Sequence, residues 1–320
     1  MNKLLISVAI ATYNGEQFIR QQMDSILAQT LSDFEIVICD DCSADSTIQI
    51  LTEYASADSR IKIFKNEHNL GFKKNFEKII SLCKGEFIAL CDQDDIWEPD
   101  HLQALVQEIG SNDCVCGNAL LIDSKGDSLN CTMREVIPIR ILPQNTEDLF
   151  SHEVYGNIVQ GAASMIRQSL VKEILPIPDS VIYHDWWIAL NACKNNGCKY
   201  VDHIILKYRR HETSVTNKKN FGIATAFSIF FEDTHEKREY YKKIVTMLEE
   251  LKRKESSSSS LCKIDSAIRF YKALAYRKDF LWRTKHYISN YRTIQLSPKR
   301  KFSSFLYNLL CLLTKGIIIK

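Results

Sequence analysis

The 320-residue chain carries almost no net charge: 41 Lys and Arg against 39 Asp and Glu leave +2 at pH 7. A nucleic-acid partner calls for a basic face or stripe, and this balance suggests none. No internal repeat is visible. A secretory leader pattern is missing as well. Met1 is followed within three residues by the strand-like residues 4–10, with no cleavage-site pattern after them, so the N-terminal part is expected in the cytoplasm. Also lacking is a clean apolar run of the ~20 residues that a membrane span needs. With 45% hydrophobic and 25% charged residues, the composition is ordinary for a globular protein. The length suits one large domain with an extension, or two domains.

Cysteine is plentiful, but the patterns of cysteine chemistry are absent. Eleven cysteines, an odd number scattered through apolar runs, fit reduced core thiols better than a disulfide framework. Cys39 and Cys42 form a C-x-x-C, yet Asp40 and Asp41 stand between them. Neighbouring carboxylates raise a thiol pKa, the reverse of what a redox pair needs. A zinc site would require a second ligand pair, whereas Cys114 and Cys116 are spaced by one residue and no paired histidines follow.

What is present is a strand–helix alternation over the first 120 residues. Residues 4–10, 35–39, 61–64 and 87–91 read as buried strands. Between and after them, apolar residues recur at helical spacing: Ile19, Met23, Ile26 and Leu27; then Ile48, Leu51 and Ala55, with Ser43 as the expected N-cap; then Phe72, Phe76, Ile79, Ile80 and Cys83; then Leu102, Leu105, Val106 and Ile109 behind Pro99. This order predicts a parallel sheet with right-handed crossovers. Further strands are expected at 114–122, 158–166 and 204–208, and helices at 169–175 and 186–193. Residues 127–150 show no period and read as a loop over a site. From about 221 the sequence turns charged, aromatic and helical, with Ser256 to Ser260 as a linker between helices.

The most informative positions are Asp92, Gln93, Asp94 and Asp95, directly after the strand at 87–91. Three carboxylates in four residues raise one another's pKa unless a cation sits among them. Mg²⁺ or Mn²⁺ answers that need, commonly together with a phosphate-bearing substrate. Open α/β sheets bind ligands beyond the carboxyl ends of their strands. A plain acidic turn capping the next helix is the alternative. The first strand ends in Thr12, Tyr13, Asn14 and Gly15, a tight turn whose amides and aromatic ring suit a nucleotide base, though alone it reads as a plain βα loop; the second ends in Asp40 and Asp41, suited to a ribose hydroxyl or a base N–H, beside helix capping by Ser43 and Asp45. Parallel strands end on one side, so the three ends converge. Further on, Asp185 beside Trp186 and Trp187 reads either as a partly desolvated carboxylate suited to general-base work, with tryptophan faces suited to a sugar acceptor, or as a helix N-cap followed by core tryptophans. Lys207, Arg209, Arg210 and His211, in the segment after the last strand, suit a diphosphate, with a solvated basic turn as the alternative.

In this order and spacing, residues 3–217 resemble the family 2 glycosyltransferases, nucleotide-sugar-dependent enzymes of the GT-A fold. The matching segments are VAIATYN at 8–14, FEIVICDDCS at 34–43, NLG at 69–71, GEFIALCDQDDIW at 85–97, HDWW at 184–187 and YRRH at 208–211. The DQDD-x-W and HDWW forms are similar to the rhamnosyltransferase-like branch that builds bacterial O-antigen and capsule. The resemblance implies an α/β GT-A domain, a mostly parallel sheet flanked by helices, over 1–220, with a helical extension over 221–320. It implies a single inverting displacement on a nucleotide-diphosphate sugar such as dTDP-rhamnose, towards a glycan or polyisoprenoid-linked acceptor. By position, Thr12, Tyr13, Asn14 and Asp41 would line the base pocket, Glu35 would support it, and Asp92 and Asp94 would frame the ribose and diphosphate. Asp94 or Asp95 would ligate the metal, Asp185 would be the base, and Arg210 and His211 would reach the diphosphate. Competing classes are a sugar nucleotidyltransferase, against which stands a first loop (residues 11–16) without the usual glycine-rich basic pattern, and a glycan-binding protein without activity.

Near the C-terminus, Lys299, Arg300 and Lys301 precede Phe305, Leu306, Leu309, Leu310, Leu312 and Leu313. A basic cluster beside an amphipathic helix suits an anionic membrane surface, the inner face of the plasma membrane in this reading. The alternative is a helix packed on the catalytic domain or on a second copy in a homodimer.

Overall fold

A computed structural model of the chain describes residues 5–136, 143, 145–212 and 235–276. Among them a nine-stranded mixed sheet forms the centre, in the order β3-β2-β1-β4-β8-β6-β9-β5, with β7 paired to β6. The strands are β1 (Ile6–Thr12), β2 (Phe34–Asp40), β3 (Ile61–Lys65), β4 (Phe87–Cys91), β5 (Ile96–Trp97), β6 (Cys114–Ile122), β7 (Ser128–Thr132), β8 (Ser164–Arg167) and β9 (Cys198–Arg209). β1 pairs parallel with β2 and β4, β2 with β3, and β6 with β9, while β8 lies antiparallel between β4 and β6. This is the expected mostly parallel α/β architecture. The central strands are continuous apolar runs because helices cover both faces of such a sheet. Val8, Ile10, Ile36, Ile38, Leu90 and Met165 are all fully buried.

Helices α1 (Ile19–Leu27), α2 (Thr47–Ala57), α3 (Phe72–Leu82) and α4 (His101–Ile109) follow the strands as the periodicity indicates. Their starts differ in detail. The hydroxyl of Ser43 donates to Oδ1 of Asp40, 2.5 Å away, so it is not free to cap α2, which begins four residues later behind Ser46. Pro99 lies just before α4 rather than inside it.

The larger departures fall beyond residue 122. The stretch read as a loop at 127–150 contains β7, the short helix α5 (Met133–Val136) and the start of α6 (Thr146–Glu153). Short elements carry too few turns for a period to show. The strand expected at 158–166 is confined to β8, preceded by a 3-10 turn at Gly161–Ala163. Backbone N–H groups at 158, 159 and 161 donate to side-chain carboxylates instead of to a ladder. α7 (Val171–Ile174) and α8 (His184–Lys194) follow.

The C-terminal part of the described chain is a helical hairpin, α9 (His235–Arg253) and α10 (Ser258–Ala275). The last three serines of the run at 256–260 therefore belong to α10, behind the N-cap residue Ser257. Leu248 and Leu251 of α9 and Ile264 and Ala267 of α10 join the same hydrophobic core as the sheet. Among the described residues no helix is long and apolar enough to cross a membrane. The basic and apolar segment at 299–313 lies outside the described residues.

Candidate active site

The carboxyl ends of β1, β2 and β4 lie side by side, with Thr12 opposite Asp40 and Ile10 opposite Cys91. Three loops leave this edge and are tied together by side chains. Gln93 links two of them: its amide accepts from Tyr13 N at 2.9 Å and donates to Tyr13 O at 3.0 Å. A Cβ at Gly15 would stand 2.3 Å from Gln93 Oε1, so a side chain there would displace the Gln93 amide from Tyr13. Asn14, with φ of 48°, accepts from Ala44 N at 2.8 Å, and its own N donates to Ser43 Oγ at 2.9 Å. The Tyr13 side chain is left half-exposed above this frame. Thr12 is buried and donates to Asp40 Oδ1 at 3.0 Å.

Asp41 is buried at the same edge. Its Oδ1 accepts from Asn66 Nδ2 (2.7 Å) and Leu70 N (2.8 Å), and its Oδ2 from Gly71 N (2.8 Å). Three donors fill most of the roughly four acceptor sites of a carboxylate, so Asp41 chiefly anchors the turn at 69–71. Glu35 is not at this edge. It faces Ser7 at the opposite end of the sheet, roughly 16 Å from Asp40 at the rise of an extended strand. There it accepts from Ser7 Oγ (2.7 Å) and Lys62 Nζ (2.6 Å). The expectation that Glu35 supports the nucleotide pocket is therefore corrected: it anchors β1, β2 and β3 at their beginnings.

The three carboxylates of the acidic segment divide into two settings. Asp92 and Asp94 are half-buried at the edge, whereas Asp95 is 1% exposed. Oδ1 of Asp95 accepts from Arg209 N at 2.9 Å, and its Oδ2 is sealed from solvent. Asp95 is thus directed into the protein and is corrected as a metal ligand. Loss of water, then the charges of Asp94 and Asp92, push its carboxyl well above the usual range. Desolvation, then Asp94 and Asp185, also push Asp92 up. The latter effect brings the first acidic loop and Asp185 into one electrostatic field.

Oδ2 of Asp94 lies 2.7 Å from Nε2 of His211, whose ring packs on Phe18 with centroids 4.8 Å apart. Among the described residues no three His, Cys, Asp or Glu side chains converge as a cage for a metal ion. Mg²⁺ and Mn²⁺ do not require one, because such ions take one or two protein ligands and complete their shell with substrate phosphates and water. A carboxylate with an adjacent imidazole, inside a surplus of negative charge, fits that pattern.

Sequence reasoning missed the role of Arg209. It lies on β9, and its guanidinium is buried: Nε donates to Asp94 O (2.7 Å), and the terminal nitrogens reach Gln21 Oε1 (2.6 Å), Ser124 O (3.3 Å) and Asp123 O (3.4 Å). It also lies 4.8 Å above the Phe18 ring. Arg209 pins the acidic loop to α1 and to the turn after β6. Arg210 is half-buried, its backbone N bonded to Ile122 O. A buried cation next to a half-buried one in a YRRH segment was a signal only in the period-2 alternation of a strand.

Asp185 occupies the first turn of α8. Oδ1 accepts from Trp186 N (2.8 Å) and from Asn157 Nδ2 (2.9 Å), and Oδ2 from Gly161 N (3.1 Å). The carboxylate remains partly exposed. Asn157 and Gly161 carried no sequence signal. Trp186 and Trp187 do not face an acceptor, and that expectation is corrected. They are 1% and 0% exposed, and their Nε1 atoms donate to Glu153 O (2.7 Å) and Ile174 O (3.0 Å). Buried indoles with satisfied N–H groups are core residues.

A model of the glycosyl transferase family 2 domain matches residues 7–175. The chain belongs to this family. As a family 2 member it is 29% identical over 231 residues to the uncharacterized glycosyltransferase MJ1057 of Methanocaldococcus jannaschii, over 69% of this chain and 74% of that protein. It is 26% identical over 223 residues to the Escherichia coli UDP-Glc:alpha-D-GlcNAc-diphosphoundecaprenol beta-1,3-glucosyltransferase WfgD, over 68% and 82% of the two chains. Among solved structures it is similar to S. aureus TarS 1-349 in complex with UDP-GlcNAc, with a TM-score of 0.60 at 18% identity over 88% of this chain and 75% of that one. It is also similar to the mannosyltransferase PcManGT from Pyrobaculum calidifontis in complex with GDP-Man and Mn2+, with a TM-score of 0.52 at 14% identity over 98% and 86%. At these identities the structural likeness shows the fold, which is GT-A, for this family 2 glycosyltransferase.

Proposed function

We propose that this glycosyltransferase moves a sugar from a nucleotide-diphosphate donor to a glycan or polyisoprenoid-diphosphate acceptor in bacterial surface polysaccharide synthesis, with inversion and with a divalent metal. The observation that carries this reading is one sheet edge on which Asp92, the Asp94–His211 pair and the three-donor cradle of Asp185 meet. Tyr13, Asn14 and Thr12 frame the base, with Asp41 holding the floor beneath it. Asp94 and His211 would hold Mg²⁺ or Mn²⁺, which when bound supplies positive charge for the leaving diphosphate. Arg210 adds a fixed cation there. Asp185 takes the proton of the acceptor hydroxyl as that oxygen attacks the anomeric carbon. The N–H groups of Asn157, Gly161 and Trp186 hold the carboxylate in place and compete with the incoming proton for its lone pairs. No second carboxylate nucleophile is required, in contrast to a retaining glycosidase.

Relatives with printed donors span UDP-Glc, UDP-GlcNAc and GDP-Man, and dTDP-rhamnose completes the panel suggested by the HDWW form. The full chain is incubated with each of these four nucleotide sugars, Mn²⁺ and a polyisoprenoid-diphosphate-linked sugar as acceptor, and in a parallel arm with pyrophosphate in place of the acceptor. Release of free nucleoside diphosphate supports transfer, conversion of nucleotide sugar and added pyrophosphate into nucleoside triphosphate and sugar 1-phosphate indicates a nucleotidyltransferase, and neither indicates a binding protein. A lipid-linked acceptor would bring the reaction to the inner membrane face, with residues 299–313 as the docking segment. Co-sedimentation of the full chain with anionic liposomes at low salt tests this; failure leaves that segment to pack on protein, on this chain or a second copy.

A further inference from the structure

The cradle of Asp185 is itself held from outside the family domain. Asn157 and Gly161 belong to the turn after α6, residues 154–161. Within the domain that turn is tied down by Glu153, whose buried Oε1 accepts from Ile158 N (3.1 Å) and Val159 N (2.8 Å). Further ties come from α10. The Tyr155 hydroxyl donates to Ser266 Oγ at 2.9 Å, and the Tyr271 hydroxyl donates to the backbone carbonyl of Tyr155. The Tyr155 ring meets Phe270 edge-on with centroids 5.7 Å apart. Tyr155 is two residues from Asn157, so a shift of one moves the other. Tyr271 is buried and Asn157 is half-buried, and no residue of α10 is bonded to Asp185 among the described contacts.

We propose that α10 is a positioning element for catalysis: Tyr271 and Ser266 fix Tyr155, and through it the turn that presents Asn157 and Gly161 to the carboxylate of Asp185. The proposal rests on the reading of Asp185 as the base. It gives the C-terminal hairpin a role in turnover that is separate from any membrane contact. It also makes catalytic competence depend on the hairpin being seated. A base misplaced by a fraction of an ångström to an ångström loses one to two orders of magnitude in rate, while the donor site at the far side of the edge is untouched.

The test uses the full chain with the nucleotide sugar that the donor panel selects and a saturating polyisoprenoid-diphosphate-linked sugar as acceptor, reading nucleoside diphosphate release. Tyr271→Phe keeps the ring and removes the one hydroxyl. It is expected to lower kcat by about 10-fold with the donor KM and the calorimetric affinity for the nucleoside diphosphate within about twofold. Combined with Asn157→Ala, the two effects are expected to fall short of their product, because both act through the same hold on Asp185. Full-rate Tyr271→Phe, a rise in donor KM at unchanged kcat, or effects that multiply in the double variant would each overturn the proposal. Ser266→Ala, at a partly exposed position, is read in the same way if Tyr271→Phe does not fold. Asp185→Asn separates the two readings. An inactive Asp185→Asn beside a full-rate Tyr271→Phe removes only the role of α10, whereas an active Asp185→Asn removes both.

Discussion

His211 Nε2 and Asp94 Oδ2 are 2.7 Å apart, although 117 residues separate them in the chain. β9 delivers the histidine and β4 the aspartate, and Arg209, two residues before His211, ties the two segments by donating to Asp94 O. Beside the pair, desolvation and then the charges of Asp94 and Asp185 push the Asp92 carboxyl up.

This arrangement predicts metal-dependent donor binding. Asp94→Asn and His211→Ala should each weaken calorimetric affinity for the nucleoside diphosphate in Mn²⁺, by about 10-fold or more, and have little effect in EDTA. Asp95→Asn should behave differently, lowering thermal stability before it changes Mn²⁺ dependence. Equal affinity with and without metal in the unmodified chain would remove the metal from the scheme.

Asp185→Asn retains the shape of the side chain but not a base. Turnover is expected to fall by ~10²–10⁴-fold, the usual range for lost acid–base catalysis, with donor affinity nearly unchanged. Steady-state kinetics of diphosphate release measure both. A variant with near-normal kcat would place the base elsewhere.

Glu35→Gln should affect stability and leave donor binding alone. Burial by itself raises the Glu35 pKa, but the Lys62 ammonium, the Ser7 hydroxyl and the Lys84 N–H outweigh it and hold the carboxyl below its usual range. A depressed folded pKa contributes stability that is present above the unfolded value of about 4.3 and is lost as pH falls through the folded value. Urea unfolding of the variant should therefore fall short of the unmodified chain at pH 7. The difference should close as pH drops below about 4. A changed donor affinity at pH 7 would return Glu35 to the pocket.

Trp187→Phe tests whether the tryptophans are core. The substitution leaves the buried Ile174 carbonyl without its donor, at an expected cost of about 1–3 kcal/mol in unfolding free energy. Acceptor KM should be unchanged at a temperature where the variant is folded. A rise in acceptor KM without a loss of stability would restore the tryptophans to the acceptor surface.

Local sequence by itself determined the first half of this protein. Apolar runs such as Phe87–Cys91 and helical repeats such as Phe72, Phe76, Ile79 and Ile80 are signals that depend only on neighbours a few residues away, and the observed elements follow them. The clustering of Asp92, Asp94 and Asp95 at a strand end was legible for the same reason, as was the approximate place of the active edge. Tertiary structure decided what those residues do. Asp94 and Asp95 are adjacent in sequence, yet one meets His211 and the other is buried under Arg209. Glu35 and Asp41 share a strand and its end, yet lie at opposite edges because a strand carries them apart by its own length. Asn157, Gly161, Tyr155 and Tyr271 form no motif, and their roles exist only because α10 packs beside the turn that holds Asp185. Hydrogen bonds between residues more than 20 positions apart leave no periodicity in the chain, so only the folded arrangement reveals which donors a carboxylate finds.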